Sequence, residues 1–129
     1  MNSGRFTITQ STDSPNGFAN SLKVDITTAE SSLNSSSGAA FSQFLEGQDV
    51  QQFKKGTSDA EKITVSFYVK GNASATYVAE LLDADNSSRH INKSFSVTTS
   101  WSRVSLTFPG DTTGKLDADN NFYLKIVLI

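Results

Sequence analysis

The sequence predicts an all-β fold, an antiparallel two-sheet β-sandwich of the jelly-roll type, and three observations carry that expectation. Residues 63–70 and 101–108 both alternate apolar and polar side chains, so each offers one side to a core and the other to water. Clusters of Gly, Pro, Asn, Asp and Ser punctuate the chain about every dozen residues, as short antiparallel strands require. No segment sustains the apolar period of a full amphipathic helix.

Each element follows from local residues. Residues 5–10 alternate cleanly and read as a strand, and Asp13, Ser14, Pro15, Asn16 and Gly17 form the turn after it. Residues 22–27 alternate again, with Leu22, Val24 and Ile26 expected to face inward. Residues 30–38 are a Ser/Asn-rich loop whose single core-forming residue is Leu33. Residues 39–46 resume the strand pattern, and 47–56, with Val50, Gln51, Gln52 and Phe53, are an irregular connection holding one helical turn. Ser58, Asp59, Ala60 and Glu61 have the form of a capping box, but period two resumes directly after them, so they read as a loop feeding a strand. Strands then follow at 63–70, 76–82, 90–97, 101–108 and 122–128. Turns at 71–74, 83–88 and 98–100 and a polar loop at 109–121 separate them. The total is about eight strands. The first and last are expected side by side or near a sheet edge. An edge ending in Ile126, Val127, Leu128 and Ile129 would invite association, so a further segment or a neighbouring subunit is expected to cover it.

At 129 residues the chain is expected to be a single domain, 1–129, able to bury about two-thirds of its unfolded surface without cross-links. Its hydrophobic fraction of 36% and charged fraction of 19% are both modest. Ser, Thr and Asn fill the difference, so solubility rests on neutral hydrogen-bonding groups, as in many extracellular β domains and virion fibres. A net charge of −2 lacks the electrostatic footprint of a nucleic-acid binder and of a polybasic membrane anchor. Lys54-Lys55 is the only basic doublet and reads as loop surface. No apolar run reaches membrane-spanning length, and no signal peptide is recognisable at the start. Cysteine is absent, which excludes disulfides and thiolate metal sites and leans towards a bacterial, archaeal or phage source. The sequons at Asn34, Asn72, Asn86 and Asn92 are what chance supplies in a chain so rich in Ser and Asn. From the abrupt apolar ending, the chain is expected to be a fragment of a longer protein.

Catalytic chemistry finds little to use. His90 is the only histidine, so a nucleophilic triad would have to recruit it; its turn-to-strand position reads as surface. Carboxylates cluster in loops (Asp83 with Asp85, Asp117 with Asp119, Glu46 with Asp49), and only Asp25 and Glu80 lie within strands. No acid–base pair across a cleft is suggested, and no enzymatic activity is expected. The tetrapeptide Asp-Ala-Asp-Asn occurs at 83–86 and again at 117–120. Asp83, Asp85, Asp117 and Asp119 are therefore candidate oxygen ligands for structural calcium. Neither copy continues as an EF-hand, since the sixth positions are Ser88 and Phe122 and the twelfth Ser94 and Leu128. Asx turns account for both copies without a metal, and are the favoured account. No other cofactor is implied.

Aromatic residues on polar strand faces suggest a different use. Sugars stack their C–H faces on flat rings while amides and charged groups bond their hydroxyls. Tyr68 and Lys70 fall on the polar side of 63–70, and Tyr123 and Lys125 on the polar side of 122–128. With Gln43 and Arg103 they are candidates to line a shallow glycan groove; an ordinary solvated sheet surface is the competing reading. Trp101 reads as packing at a sandwich corner.

Residues 66–71 (Ser-Phe-Tyr-Val-Lys-Gly) and 99–108 (Thr-Ser-Trp-Ser-Arg-Val-Ser-Leu-Thr-Phe) resemble the jelly-roll carbohydrate-binding modules of secreted polysaccharide hydrolases, which have galactose-binding-like sandwich folds. A wider resemblance spans residues 5–10, 16–24, 46–51 and 108–114. With its Glu46-Gly47-Gln48 step and Pro-Gly-Asp-Thr-Thr-Gly loop, the chain is similar to a domain recurrent in phage tail-fibre and virion-associated proteins, frequent in marine viruses. The pattern of that family continues past the strand matching 122–128, and it offers no shared ligand residues to carry over. The resemblance implies a non-catalytic carbohydrate-binding-like domain of a phage structural protein, virion-borne or extracellular, that attaches to host-surface glycans and assembles as a homo-oligomer. A ligand-free structural or oligomerisation spacer, and a binding module of a secreted glycoside hydrolase, are the alternatives.

Overall fold

A computed structural model of the protein describes residues 5–29, 31–32 and 38–118, together with the backbone of 122–128. These residues form strands β1 (Arg5–Ser11), β2 (Ser21–Thr28), β3 (Phe41–Glu46), β4 (Ile63–Val69), β5 (Ala75–Asp83), β6 (Arg89–Val97), β7 (Ser102–Phe108) and β8 (Phe122–Leu128), with a 3-10 helix (Gly47–Phe53) after β3. The protein is all-β, every strand pairing is antiparallel, and no barrel closes among the described residues. The chain divides into two compact units, residues 1–38 and 39–129.

The first unit is the β1–β2 hairpin. Phe6 opposes Ile26, Ile8 opposes Val24 and Gln10 opposes Leu22. Directly opposed residues share a face, so Phe6, Ile8, Val24, Ile26 and Leu22 gather on one side. Lys23 and Asp25 pair at 2.8 Å on the other. Leu22, Val24 and Ile26 thus share a side as their spacing requires, yet Phe6, Ile8, Leu22 and Ile26 all remain at least half exposed. The connecting loop is held by its own backbone: the Phe18 amide donates to the Pro15 carbonyl at 3.1 Å, and the Ser21 hydroxyl donates to the Asp13 carbonyl at 2.7 Å.

The second unit holds a four-stranded sheet in the order β3-β8-β5-β6 and a two-stranded sheet, β4-β7. Its pairings nest. β5–β6 lies inside β4–β7, which lies inside β3–β8. The last strand is therefore neither an edge strand nor paired with β1, against the sequence expectation: β8 has β3 on one side and β5 on the other. A strand paired on both sides has its backbone groups taken up within the sheet and offers no template for association.

Alternation decides what each sheet buries. From β4 and β7 come Val65, Phe67, Val69, Val104, Leu106 and Phe108; from β5 and β6 come Ala79, Leu81, Phe95 and Val97; Val50, Phe53 and Leu116 join them. Phe67 meets Phe95 edge-on, with ring centroids 5.1 Å apart and planes at 81°, so the two sheets touch through aromatic rings. The Lys93 ammonium sits 5.9 Å from the Phe108 ring centroid. The opposite side of β4–β7 is polar, and the Thr64 and Thr107 hydroxyls share a 2.8 Å hydrogen bond across the strands.

Two glycines allow loops to close on one another. A Cβ at Gly110 would fall 2.1 Å from the Ala60 carbonyl oxygen, and one at Gly56 (φ +80°) would fall 2.4 Å from the Lys115 amide nitrogen. Neither obstacle is a side chain that can swing aside. Phe108 is fully buried, so Phe108→Ala is expected to cost about 3–5 kcal/mol. Ser105→Ala, on the polar side of the same strand, should stay within about 0.5 kcal/mol of the parent; urea unfolding midpoints measure both.

Candidate functional site

The loops at one end of the second unit are organised by a buried ion pair. Asp83 ends β5 in the row that contains Ala79 and Leu81, so alternation sends its carboxylate into the interior, where the side chain is 2% exposed. An isolated carboxylate there would be costly. Lys55, 9% exposed, answers it from the turn after the 3-10 helix, where Lys54 takes the left-handed conformation (φ +50°). The Lys55 ammonium pairs with Asp83 Oδ2, donates to the Gly114 carbonyl at 2.7 Å, and lies 3.1 Å from Asp111 Oδ2. Its three protons have three acceptors. Asp83 also accepts from the Asp85 amide (3.0 Å), the Asn86 amide (3.1 Å) and Asn86 Nδ2 (2.8 Å), the pattern of an Asx turn.

Asp111 extends the network to the surface. Arg89 grips it with a fork, Nε to Oδ2 at 3.2 Å and Nη2 to Oδ1 at 3.0 Å, and the Thr113 amide donates to Oδ1 at 2.9 Å. Burial alone would raise the Asp111 carboxyl. The hydrogen bonds from Arg89 and Thr113 and the Lys55 charge outweigh it, bringing the group down to about 2 from its ordinary 3.8. The same fork raises the already high Arg89 guanidinium.

Beside this network lies a cleft of about 510 Å³, lined on its apolar side by Ile63, Leu81, Ile91 and Pro109 and on its polar side by Arg89 and Asp111, with Lys55 and Asp83 also in its lining. His90 borders it too. However, register sets His90 opposite Leu82, in the alternate row to Arg89 and Ile91, and its Nδ1 lies 3.1 Å from the Ser88 carbonyl oxygen.

The residues nominated for glycan contact divide between the two sheets. Tyr68 and Arg103 face each other directly across β4 and β7, and Arg103 Nη2 donates to the Ser66 hydroxyl at 2.9 Å. Tyr68 is 43% exposed. Lys70, also exposed, follows the end of β4. Gln43 lies on β3, in register with Ile126 and through it with core residue Leu81, so it sits in the core-side row of the other sheet. It is nonetheless exposed, with Nε2 donating to the Phe44 carbonyl at 3.0 Å. Tyr123 and Lys125 belong to β8, also in the four-stranded sheet; their side chains lie outside the described residues. The structure thus joins Tyr68 and Arg103, with Lys70 nearby in sequence, and leaves Gln43, Tyr123 and Lys125 on the other sheet.

Of the calcium candidates, Asp83 already has its oxygens engaged by the ammonium and amides above. The Asp117 amide donates to Asp85 Oδ2 at 3.3 Å, so the two copies of the tetrapeptide meet; Asp119 lies outside the described residues. Among the described residues no group of three or more His, Asp or Glu is arranged to hold a metal ion. The reading of Lys54-Lys55 as loop surface is right for Lys54 and wrong for Lys55. Lys55, Arg89 and Asp111 carried no sequence signal beyond the turn motif around Asp83, whose burial calls for a cation. No helix among the described residues is long and apolar enough to cross a membrane. Neither family models, nor curated proteins, nor solved structures provide a match to this chain.

Lys55→Met leaves the Asp83 carboxylate buried without its cation and is expected to cost about 3–5 kcal/mol in urea unfolding. Pairing it with Asp83→Leu should cost clearly less than the two single changes added together. Asp111 has a depressed folded value, so its contribution is complete above pH 3.8 and is lost as pH falls through about 2. At about 1.4 kcal/mol per pH unit, that contribution is at most about 2 kcal/mol, because the side chain stays partly in water. In an acid titration, Asp111→Asn should lose up to about 2 kcal/mol less stability across this window than the parent does.

Proposed function

We propose that residues 39–129 are a jelly-roll-type sandwich acting as a non-catalytic carbohydrate-binding module of a phage-type structural protein, virion-borne or extracellular, that holds host-surface glycans. The observation that carries the reading is the polar face of β4–β7. The half-exposed Tyr68 ring lies directly across from Arg103, whose guanidinium is steadied by Ser66, among the hydroxyls of Thr64, Ser105 and Thr107. A ring for the C–H face of a sugar beside a fixed donor fork for its hydroxyls is the chemistry such recognition needs. The nested pairing of β3–β8, β4–β7 and β5–β6 supports the jelly-roll assignment, and the resemblance of residues 5–10, 16–24, 46–51 and 108–114 supports the virion setting. A flat site of this kind binds weakly alone, and repetition along a fibre multiplies its strength.

A ligand-free spacer that joins copies of the chain is the second reading, favoured by the exposed apolar side of β1–β2. A glycan array that includes bacterial surface polysaccharides separates the two. The module retains at least one glycan class, loses about ten-fold in affinity on Tyr68→Ala, and is indifferent to a chelator. The spacer shows no retention, and its Tyr68→Ala variant behaves as the parent.

A further inference from the structure

We propose that the cleft beside Arg89 is a second sugar site, one that takes the terminal residue of a neutral glycan while the Tyr68 face takes the body of the chain. This rests on the reading of the domain as a carbohydrate binder. The cleft of about 510 Å³ falls within the size range of small-molecule sites. Its apolar side offers Ile91, 38% exposed, and Pro109 to a C–H face. Its polar side offers a preset donor. Arg89 spends Nε and Nη2 on Asp111, which leaves Nη1 without a partner among the described residues. The stem passes close to the Gly114 backbone, where an added Cβ would come within 3.1 Å of Arg89 Cδ. A guanidinium already held along one edge loses less freedom on bonding a hydroxyl than an unrestrained one.

Charge selects the ligand class. Lys55 and Arg89 are matched by Asp83 and Asp111, and Glu61 at the rim pairs with Lys54 at 3.4 Å. The lining thus sets two cations against three carboxylates, and the third, Glu61, is answered by Lys54 from outside the lining; with no surplus cation for a phosphate, a polyhydroxylated neutral ring suits it. Depth selects the position in the chain. The buried Lys55–Asp83 pair forms part of the floor, and the volume is that of a small-molecule site, which suits the end of a glycan better than a long stretch of it.

The test uses the full chain, labelled for NMR, and free glucose, galactose, mannose and N-acetylglucosamine at millimolar concentration. At least one sugar should produce saturable shifts at the Arg89 Nε–H and the Ile91 amide. Arg89→Gln and Ile91→Trp, which fills the cleft, should each weaken that binding at least ten-fold, while Tyr68→Ala leaves it intact. Absence of saturable shifts at these groups with all four sugars, or shifts that survive both cleft variants, would overturn the inference. Polysaccharide retention that depends on Tyr68 without any cleft shift removes the second site alone. Cleft shifts together with retention indifferent to Tyr68→Ala remove the flat-face reading alone.

Discussion

The second unit is organised at one end by the need to neutralise a single buried carboxylate. Period two places Asp83 in the inner row of β5, and from that choice the neighbouring loops follow. A lysine 28 residues earlier in the chain must reach it, which fixes the turn after the 3-10 helix. The same ammonium captures the Gly114 carbonyl and Asp111, which draws residues 111–114 inward. Gly56 and Gly110 make that convergence sterically feasible, because the backbones pass too closely for a Cβ at either position. The forked bond that Arg89 donates to Asp111 then sets one side of the cleft. The loop framework and the wall of the cleft share these atoms, so the guanidinium is held by the same contacts that hold the fold.

The two sheets divide their labour differently. The β4–β7 pair spends its inner row on the aromatic and β-branched core and keeps its outer row polar, with cross-strand hydroxyl and guanidinium bonds that order the surface without burying it. The four-stranded sheet is wider than its partner within this unit. Its inner row passes from the fully buried Ala79 to the exposed Phe41 and Gln43 on β3. Exposure on a core-side row is the mark of a sheet with more width than cover.

Strands were legible in the sequence because alternation is a local property: all eight lie within two residues of where period two and turn chemistry put them. Partners were not, because register joins residues far apart. That is why β8 emerged as a central strand when its apolar run suggested an edge, and why Gln43 proved to share a row with Leu81 when its polarity suggested an outer face. Of the residues nominated for glycan contact, Tyr68 and Arg103 face each other on two strands that do pair, with Lys70 just after one of them, as their spacing allowed. The Lys55–Asp83–Asp111–Arg89 network was not legible. Asp83 was recognisable as a turn former, but nothing local told that its carboxylate points inward, and Lys55 differs from Lys54 only in which way a left-handed turn aims it.

The nesting of β5–β6 within β4–β7 within β3–β8 also has a kinetic meaning. The innermost hairpin spans a five-residue turn and closes at small entropic cost, and each pairing shortens the effective span that the next must bridge. The outermost joins Phe41 to Leu128, the pairing most distant in sequence among the described residues. Folding of this unit is thus biased to proceed from the middle outward. Of these strands, the one that a ribosome makes last is inserted between two already waiting, so until β8 arrives β3 and β5 both stand with open edges.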